Sequence, residues 1–278
     1  MAAKAVTLVV GGGGVKSAAG LGAARALAQA GLPPTRYVGT SMGAVMAALL
    51  AAGLAPKEAE DRVAGVAGKD VGRPVPLNLL RGIWAPALLD PVPLRALIGR
   101  LIPVTRFSEL PHPLTVTTTD VDTGALVLFG DGGQDVPLAD ALAASCALPV
   151  YFPPVTLAGH RCADGGLRSV LPLEVASRWP AERVVAVDPG SGFDEQPAEG
   201  ARGPALLAAH DSATGILMAE QTRQALALWR LDPGRPPLTY IRPPVRRGAT
   251  FKAEQFRHYA EAGYQAACSA LALTPSPA

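Results

Sequence analysis

The chain has 278 residues, of which 49% are hydrophobic and 17% are charged, enough for one large domain with a substantial core. Its 25 Lys and Arg residues nearly balance its 23 Asp and Glu residues, which leaves a formal net charge of +2. That balance argues against a nucleic-acid-binding protein, in which basic residues concentrate on one face.

The first fifty residues predict a β-α-β-α succession. Residues 5–10 form a short β-branched run typical of a buried parallel strand, and the glycines after it lead into a helix over 17–30. A second strand at 37–38 precedes an alanine-rich helix over 44–52. This alternation predicts an α/β fold of three layers, α/β/α, with a mostly parallel central sheet.

The segment 68–106 differs in amino-acid composition from the rest of the chain. Prolines interrupt a stretch rich in Leu and Ile, and only 91–101 predicts a short helix, with Asp90 as its N-cap and Pro91 at its first position. Two interpretations stay open for this segment: a lid or acyl-chain pocket over a cleft, or irregular packing. The apolar side chains that would form such a pocket are Leu79, Leu80, Trp84 and Leu88.

The remainder of the chain predicts further elements of the same domain. A polar, glycine-rich loop is expected over 190–203 and a frayed tail over 274–278. We therefore predict a single domain over residues 1–278. The expected strands are 114–119, 125–129, 183–187 and 238–241, and the expected helices are 138–146, 206–231 and 253–273.

Several features favour a cytoplasmic protein. The three cysteines have no metal-site spacing and are odd in number, which fits a reducing compartment. The apolar run near the N-terminus is short and predicts a strand rather than the core of a signal peptide. The longest apolar block, residues 44–54, is too short to span a bilayer, so at most peripheral membrane contact is expected.

The glycines at 11–14, followed by Lys16 and Ser17, first suggest phosphate binding. A P-loop needs Gly directly before the Lys-Ser pair, where this chain has Val15, and the dinucleotide-binding fingerprint fails in both registers. Two interpretations remain. The segment is either a plain strand-to-helix turn or a set of backbone amides that hold a developing oxyanion.

Ser41 lies in the sequence Gly-Thr-Ser-Met-Gly, between a predicted strand and a predicted helix. Gly-x-Ser-x-Gly in that setting is the nucleophile elbow, whose flanking glycines, here Gly39 and Gly43, permit a tight strained turn. The pattern predicts that Ser41 is the nucleophile of an acyl-ester hydrolase.

A serine nucleophile needs a base, which is usually histidine. Asp164, followed by Gly165 and Gly166, is a different candidate, because a tight turn can hold its carboxylate against the serine. Burial without a neighbouring cation would strengthen that base, although an ordinary Asp-Gly-Gly turn is the alternative. No recognisable catalytic setting surrounds any of the four histidines, His112, His160, His210 and His258.

These motifs occur in the order found in patatin-like phospholipases, which the chain resembles over about residues 6–173. The run Gly-Gly-Gly-Val-Lys at 12–16 resembles that family's glycine-rich oxyanion segment. The elbow around Ser41 and the Asp-Gly-Gly at 164–166 resemble its other two motifs. The stretch 144–155 is also similar to the segment that precedes the last motif in bacterial members.

The resemblance implies a Ser-Asp dyad without histidine, metal or other cofactor. Carried over by position, Ser41 would be the nucleophile and Asp164 the base. Lys16 would anchor the glycine loop or meet an anionic headgroup, and Ser17 stands where the family usually has Gly. The amides expected to form the oxyanion hole are those of Gly12, Gly13 and Gly14. The supporting residues are Lys16, Gly39, Gly43, Gly165 and Gly166.

The expected function is therefore hydrolysis of a lipid or fatty-acyl ester through an acyl-enzyme, as in a phospholipase A, a lysophospholipase or an esterase. Two alternatives stay open. One is a thioesterase or acyltransferase that acts on a carrier-bound thioester. The other is a lipid-binding regulatory protein with a degenerate site.

Overall fold

A computed structural model describes residues 5–66, 68–81, 84–190, 204–245 and 255–274 of the chain. The strands are β1 (Val6–Val10), β2 (Arg36–Thr40), β3 (Arg73–Pro74), β4 (Leu89–Asp90), β5 (Leu114–Asp120), β6 (Leu126–Gly130), β7 (Val155–Leu157), β8 (His160–Asp164), β9 (Arg183–Val187) and β10 (Leu238–Ile241). The helices are α1 (Ala19–Gln29), α2 (Met42–Ala51), α3 (Pro56–Ala64), α4 (Gly68–Val71), α5 (Pro76–Arg81), α6 (Val92–Leu101), α7 (Leu138–Ser145), α8 (Leu173–Ala176), α9 (Ala205–Leu231) and α10 (Phe256–Leu271). Short 3₁₀ turns span Gly14–Ala18, Phe107–Glu109 and Gly165–Leu167.

The central sheet is mostly parallel, which confirms the predicted fold class. Its strand order is β10-β9-β1-β2-β5-β8-β7, with β6 paired to the other side of β5. The pairs from β10 through β5 are parallel, whereas β6, β7 and β8 run antiparallel to their neighbours. Every residue of β1 is buried, as expected for a strand covered on both faces.

Helices cover both faces of the sheet and form two cores. Leu8 and Val10 of β1 pack into the larger core, which α1, α2, α6, α7 and α10 line. Val9, which points to the opposite face, packs into the smaller core with α8 and with Trp229 of α9. All ten residues of α2 are buried, which explains why its sequence has no polar face.

Strand β5 pairs with three other strands, β2, β6 and β8, and this pairing positions the site. One edge of β5 pairs with β6 through residues Thr115–Thr119. The opposite edge pairs with two other strands. On this opposite edge, β2 pairs with residues 114–117 of β5 and β8 pairs with residues 118–120. Thr40 at the end of β2 is opposite Thr117, and Asp164 at the end of β8 is opposite Thr118. The carboxyl ends of β2 and β8 therefore meet beside the middle of β5.

The segment 68–106 contains more regular structure than the sequence predicts. Strands β3 and β4 pair with each other, and the chain order of this segment is α4, β3, α5, β4 and α6. The predicted helix begins at Val92, one residue later than expected, although the Asp90 carboxylate still accepts the Val92 N–H at 3.0 Å. The Trp84 side chain is 84% exposed, so it lies in neither a core nor an enclosed pocket.

The same segment is attached to the loop that precedes β7. The N–H groups of Leu88 and Leu89 donate to the carbonyls of Val150 and Tyr151, each at 2.9 Å. Val150 has a φ of 71°, which is unusual for a β-branched residue. The side chains of Leu79 and Leu80 lie outside the described residues, as do most of the predicted 190–203 loop and the end of the predicted tail.

Candidate active site

Ser41 occupies the sharp turn between β2 and α2, where its backbone has φ 55° and ψ −136°. An L residue rarely adopts this conformation, and holding it costs about 1–3 kcal/mol. Both flanking glycines are needed for steric reasons. A Cβ on Gly39 would collide with the backbone of Ala44, and one on Gly43 would collide with the carbonyl groups of Val10 and Gly11.

Asp164 accepts a hydrogen bond from the Ser41 hydroxyl, with 2.7 Å between Oγ and Oδ2. Its second oxygen, Oδ1, accepts the Gly166 N–H at 2.8 Å, which fixes the carboxylate within its own turn. A Cβ on Gly165 would strike the Thr117 carbonyl, so glycine is required for the turn to pass this close to β5. The sequence motifs at 39–43 and 164–166 are thus brought together by the shared edge of β5.

The environment of Asp164 makes it a stronger base than an ordinary carboxylate. The residue is 4% exposed, and burial raises its pKa to about 6. The hydrogen bonds from Ser41 and Gly166 act in the opposite direction and lower that pKa in part. A carboxyl group with a pKa near 6 is ionised at neutral pH and still accepts a proton readily.

Thr40, the residue before Ser41, connects the elbow to the rest of the sheet. Its hydroxyl lies 2.7 Å from the Thr117 hydroxyl and donates to the Ser169 carbonyl at 2.9 Å. Thr40 and Thr117 are both fully buried. Sequence reasoning did not identify these supporting threonines, because their partners lie far away along the chain.

The glycine loop lies directly against the nucleophile. A Cβ on Gly12 would be 3.4 Å from the Ser41 Cβ. The Gly12 N–H donates to the Val170 carbonyl at 2.9 Å, so it is already occupied. The Gly13 and Gly14 amides have no acceptor within the described part of the chain. Of the three amides predicted to donate to an oxyanion, those of Gly13 and Gly14 are therefore the remaining candidates, because a committed N–H cannot also point at a substrate oxygen.

Lys16 is buried inside the protein rather than exposed at its surface. It is 4% exposed, and its Nζ donates to the Gly190 carbonyl. Asp188 strengthens this contact, since its Oδ1 accepts the Gly190 N–H at 2.9 Å. Ser17, in the position where Gly was expected, donates its hydroxyl to the Gly11 carbonyl at 3.0 Å. Of the two predicted roles of Lys16, the geometry favours anchoring of the loop.

Cys146 also lies beside the site. Burial, with the nearby charge of Asp164, raises the pKa of its thiol well above the ordinary range, although a hydrogen bond with Ser41 acts in the opposite direction. The thiol is therefore neutral at physiological pH. Because the thiolate is the nucleophilic form of cysteine, Cys146 does not compete with Ser41.

The four histidines have other surroundings. His160 Nδ1 lies 2.9 Å from Asp120 Oδ2, and His210 Nδ1 lies 3.2 Å from Asp211 Oδ1. The rings of His112 and His258 lie against tyrosine rings. Within the described ranges no histidine forms a hydrogen bond with Ser41 or Asp164, and no three His, Cys, Asp or Glu side chains are grouped to hold a metal ion. None of the helices in those ranges is long and apolar enough to cross a bilayer.

The fold and this site define a three-layer α/β/α protein with a buried serine–aspartate pair at the carboxyl ends of two strands. The family model for the patatin-like phospholipases matches residues 8–177. The chain therefore belongs to the patatin-like phospholipase family. Membership of this family supports a lipid hydrolase as the class of enzyme.

The chain spans less than half the length of the curated relatives it matches. Patatin-like phospholipase domain-containing protein 7 of Rattus norvegicus is 32% identical over 189 residues, which make up 67% of this chain and 14% of that protein. An uncharacterized NTE family protein of Mycobacterium bovis is 30% identical over 182 residues, 66% of this chain and 48% of that protein. The crystal structure of VipD from Legionella pneumophila aligns with a TM-score of 0.48 at 17% identity, covering 98% of this chain and 67% of that chain.

Proposed function

We propose that this protein hydrolyses carboxylic esters of fatty acids, with Ser41 as nucleophile and Asp164 as the sole general base. The observation that carries the proposal is the 2.7 Å hydrogen bond between the Ser41 hydroxyl and the buried carboxylate of Asp164. A base can activate an alcohol only when the two groups lie within hydrogen-bond distance of each other. Family membership supports a lipid as the source of the ester.

The first half of the reaction transfers the acyl group to the enzyme. Ser41 Oγ attacks the ester carbonyl carbon while Asp164 Oδ2 takes the hydroxyl proton. The carbonyl oxygen becomes an oxyanion, to which the Gly13 and Gly14 amides donate, each worth about 3–4 kcal/mol by the precedent of oxyanion-hole donors. Asp164 then returns the proton to the leaving alcohol oxygen as the carbon–oxygen bond breaks.

The second half of the reaction releases the fatty acid. Water attacks the acyl-enzyme carbonyl and gives a proton to the same carboxylate of Asp164. The tetrahedral intermediate collapses as the Ser41 oxygen leaves and recovers that proton, which restores the starting state. One carboxylate serves both halves because its raised pKa, about 6, lets it accept and release a proton near neutral pH.

The test compares the wild type with Ser41→Ala and Asp164→Asn on a chromogenic fatty ester. Both variants are expected to lose at least about 1000-fold in kcat, since they remove the nucleophile and the base. Changing each histidine in turn to Ala serves as the control and leaves turnover largely intact. Near-wild-type turnover by Asp164→Asn would show that the dyad is wrong.

Two further experiments separate the alternatives. Comparing an ester with a thioester of the same acyl chain distinguishes an ester hydrolase from a thioesterase or acyltransferase. A fluorophosphonate that labels the wild type but not Ser41→Ala excludes a degenerate lipid-binding protein. A panel of phospholipids, lysophospholipids and neutral esters then identifies the preferred headgroup and acyl position.

A further inference from the structure

Ser145, the last residue of α7, is fully buried, and the proposed chemistry does not use its side chain. Its hydroxyl is shared between two backbone groups. The Oγ atom accepts the N–H of Ser41 at 2.8 Å and donates to the Thr117 carbonyl at 2.7 Å. A hydroxyl has a single hydrogen, and that hydrogen goes to Thr117 because a carbonyl can only accept. The remaining lone pairs of Ser145 are therefore available to Ser41.

The N–H that Ser145 binds belongs to the strained residue of the elbow. A residue with φ 55° keeps that conformation only when its surroundings hold it there. Thr117, the other partner of Ser145, is also opposite Thr40 in the sheet. The Ser145 hydroxyl thus connects the nucleophile's backbone to the strand that aligns β2 and β8.

The same short segment also holds Asp164. Two residues after Ser145, the Ala147 carbonyl accepts the Asp164 N–H at 3.0 Å. The segment from Ser145 to Ala147 therefore contacts the backbone of both members of the pair, through one side chain and one carbonyl. Because both contacts arise from three consecutive residues, the separation between Ser41 and Asp164 depends on this segment.

We propose that Ser145 is a positioning residue, which holds Ser41 through its backbone N–H so that the hydroxyl stays aligned with Asp164. This inference rests on the proposed ester hydrolysis at Ser41. Ser145 touches no reacting atom and acts through the nucleophile. Its removal changes the alignment of the serine rather than the surface that binds the acyl chain.

The decisive variants are Ser145→Ala and Ser145→Cys. Alanine leaves the Ser41 N–H and the Thr117 carbonyl buried without this partner, and the elbow is then free to shift. Misplacement of a reacting group by about 1 Å costs on the order of 100-fold in rate. We expect Ser145→Ala to lower kcat by about 10- to 100-fold with KM changed by less than about twofold. Ser145→Cys, whose thiol is a weaker donor and acceptor, should retain an intermediate kcat.

The matched control is Ser177→Ala, which deletes a serine hydroxyl that donates to the Glu174 carbonyl at 2.9 Å beyond the end of α8. It should keep the wild-type kcat. Each preparation is titrated with a fluorophosphonate, so that turnover is expressed per reactive Ser41 and unfolded protein is not counted.

The pH profile gives a second readout that a loss of folded protein would not move. The hydrogen bond from Ser41 lowers the pKa of Asp164, so a displaced serine lets that pKa rise. The acidic limb of the kcat/KM profile should therefore move to higher pH in Ser145→Ala and stay unchanged in Ser177→Ala.

The outcomes separate the inference from the function beneath it. A wild type that hydrolyses no ester, like Ser41→Ala, overturns the proposed function. An active wild type with unchanged turnover per titrated site in Ser145→Ala overturns the positioning role alone. If Ser145→Ala does not fold, Ser145→Cys decides, because wild-type turnover and an unmoved acidic limb in that variant also contradict the role.

Discussion

Ser41 Oγ and Asp164 Oδ2 lie 2.7 Å apart, although 123 residues separate them in the chain. They meet because β2 and β8 pair with consecutive stretches of the same edge of β5. Asp164 enters this contact from an antiparallel strand and Ser41 from a parallel one. Strands β2 and β8 therefore run in opposite directions, and their carboxyl ends face each other at the site.

The first prediction concerns the pH dependence of catalysis. Burial raises the pKa of Asp164 to about 6, and the base must be ionised to accept the Ser41 proton. We expect kcat/KM to rise with pH through about 6 and to level off above about 7. A series of initial rates on an uncharged ester over this range measures it. A flat profile between about pH 5 and 8 would contradict Asp164 as the base.

The second prediction is that the carboxylate destabilises the folded protein at neutral pH. Its folded-state pKa of about 6 lies above the ordinary value of 3.8, so the folded state binds the proton more tightly than the unfolded state does. Stability from this group is therefore present at low pH and is lost as the pH rises from about 4 to 6. Asp164→Asn should be more stable than the wild type near neutral pH, by at most about 3 kcal/mol.

Urea unfolding at about pH 7.5 and at about pH 4 tests this expectation, since the difference should nearly vanish at the lower pH. Asp135→Asn, which removes the charge of an exposed side chain, is the control. Equal stability of the wild type and Asp164→Asn at the higher pH would show that burial of this carboxylate carries no cost.

The third prediction concerns the backbone strain of the elbow. Ser41→Ala keeps the Cβ in an unfavourable conformation, whereas Ser41→Gly removes it. We expect both variants to be inactive and Ser41→Gly to be the more stable by about 1 kcal/mol, the strain relief exceeding the entropy cost of glycine. Thermal and urea unfolding of the pair measure it. A more stable alanine variant would mean that the elbow stores no strain.

The fourth prediction compares two glycines in helices. A Cβ on Gly43 would enter the carbonyl groups of Val10 and Gly11, whereas one on Gly99 of α6 would meet nothing within 4 Å. Gly43→Ala should destabilise the fold by about 1–3 kcal/mol and abolish ester turnover. Gly99→Ala should leave turnover intact and stabilise the protein by up to about 1 kcal/mol. Similar behaviour of the two variants would refute the steric argument.

The fifth prediction separates the two roles considered for Lys16. Its Nζ donates to the Gly190 carbonyl inside the protein, so Lys16→Met should loosen the glycine loop. We expect turnover of anionic, zwitterionic and uncharged esters to fall by the same factor, about 10-fold. The comparison uses one acyl chain on three headgroups. A loss confined to the anionic ester would instead assign Lys16 to headgroup recognition.

Local chemistry explains which parts of the fold the sequence predicted well. The β-branched run of β1 and the alanine-rich α2 appear close to their expected bounds, because burial on both sides requires continuous apolar residues. Helix α3, with Pro56 at its start and three buried residues in nine, was not predicted. The short strand β7 was also missed, because three residues with partial burial carry little periodicity.

The sequence by itself determined the elbow. Ser41 and its flanking glycines are prescribed by steric contacts within a few residues and with the strand beside them, so a short motif is enough to identify them. The order of the three motifs, which resembles that of the patatin-like family, also identified Asp164 as the partner of Ser41.

Only the tertiary structure decided how these pieces work together. The occupied Gly12 amide, the internal contact of Lys16 and the Ser145 bond to the nucleophile each join segments distant in the chain. They depend on the register by which β2 and β8 share one edge of β5. Register between distant strands is fixed by the packing of the whole sheet, and no local pattern of residues encodes it.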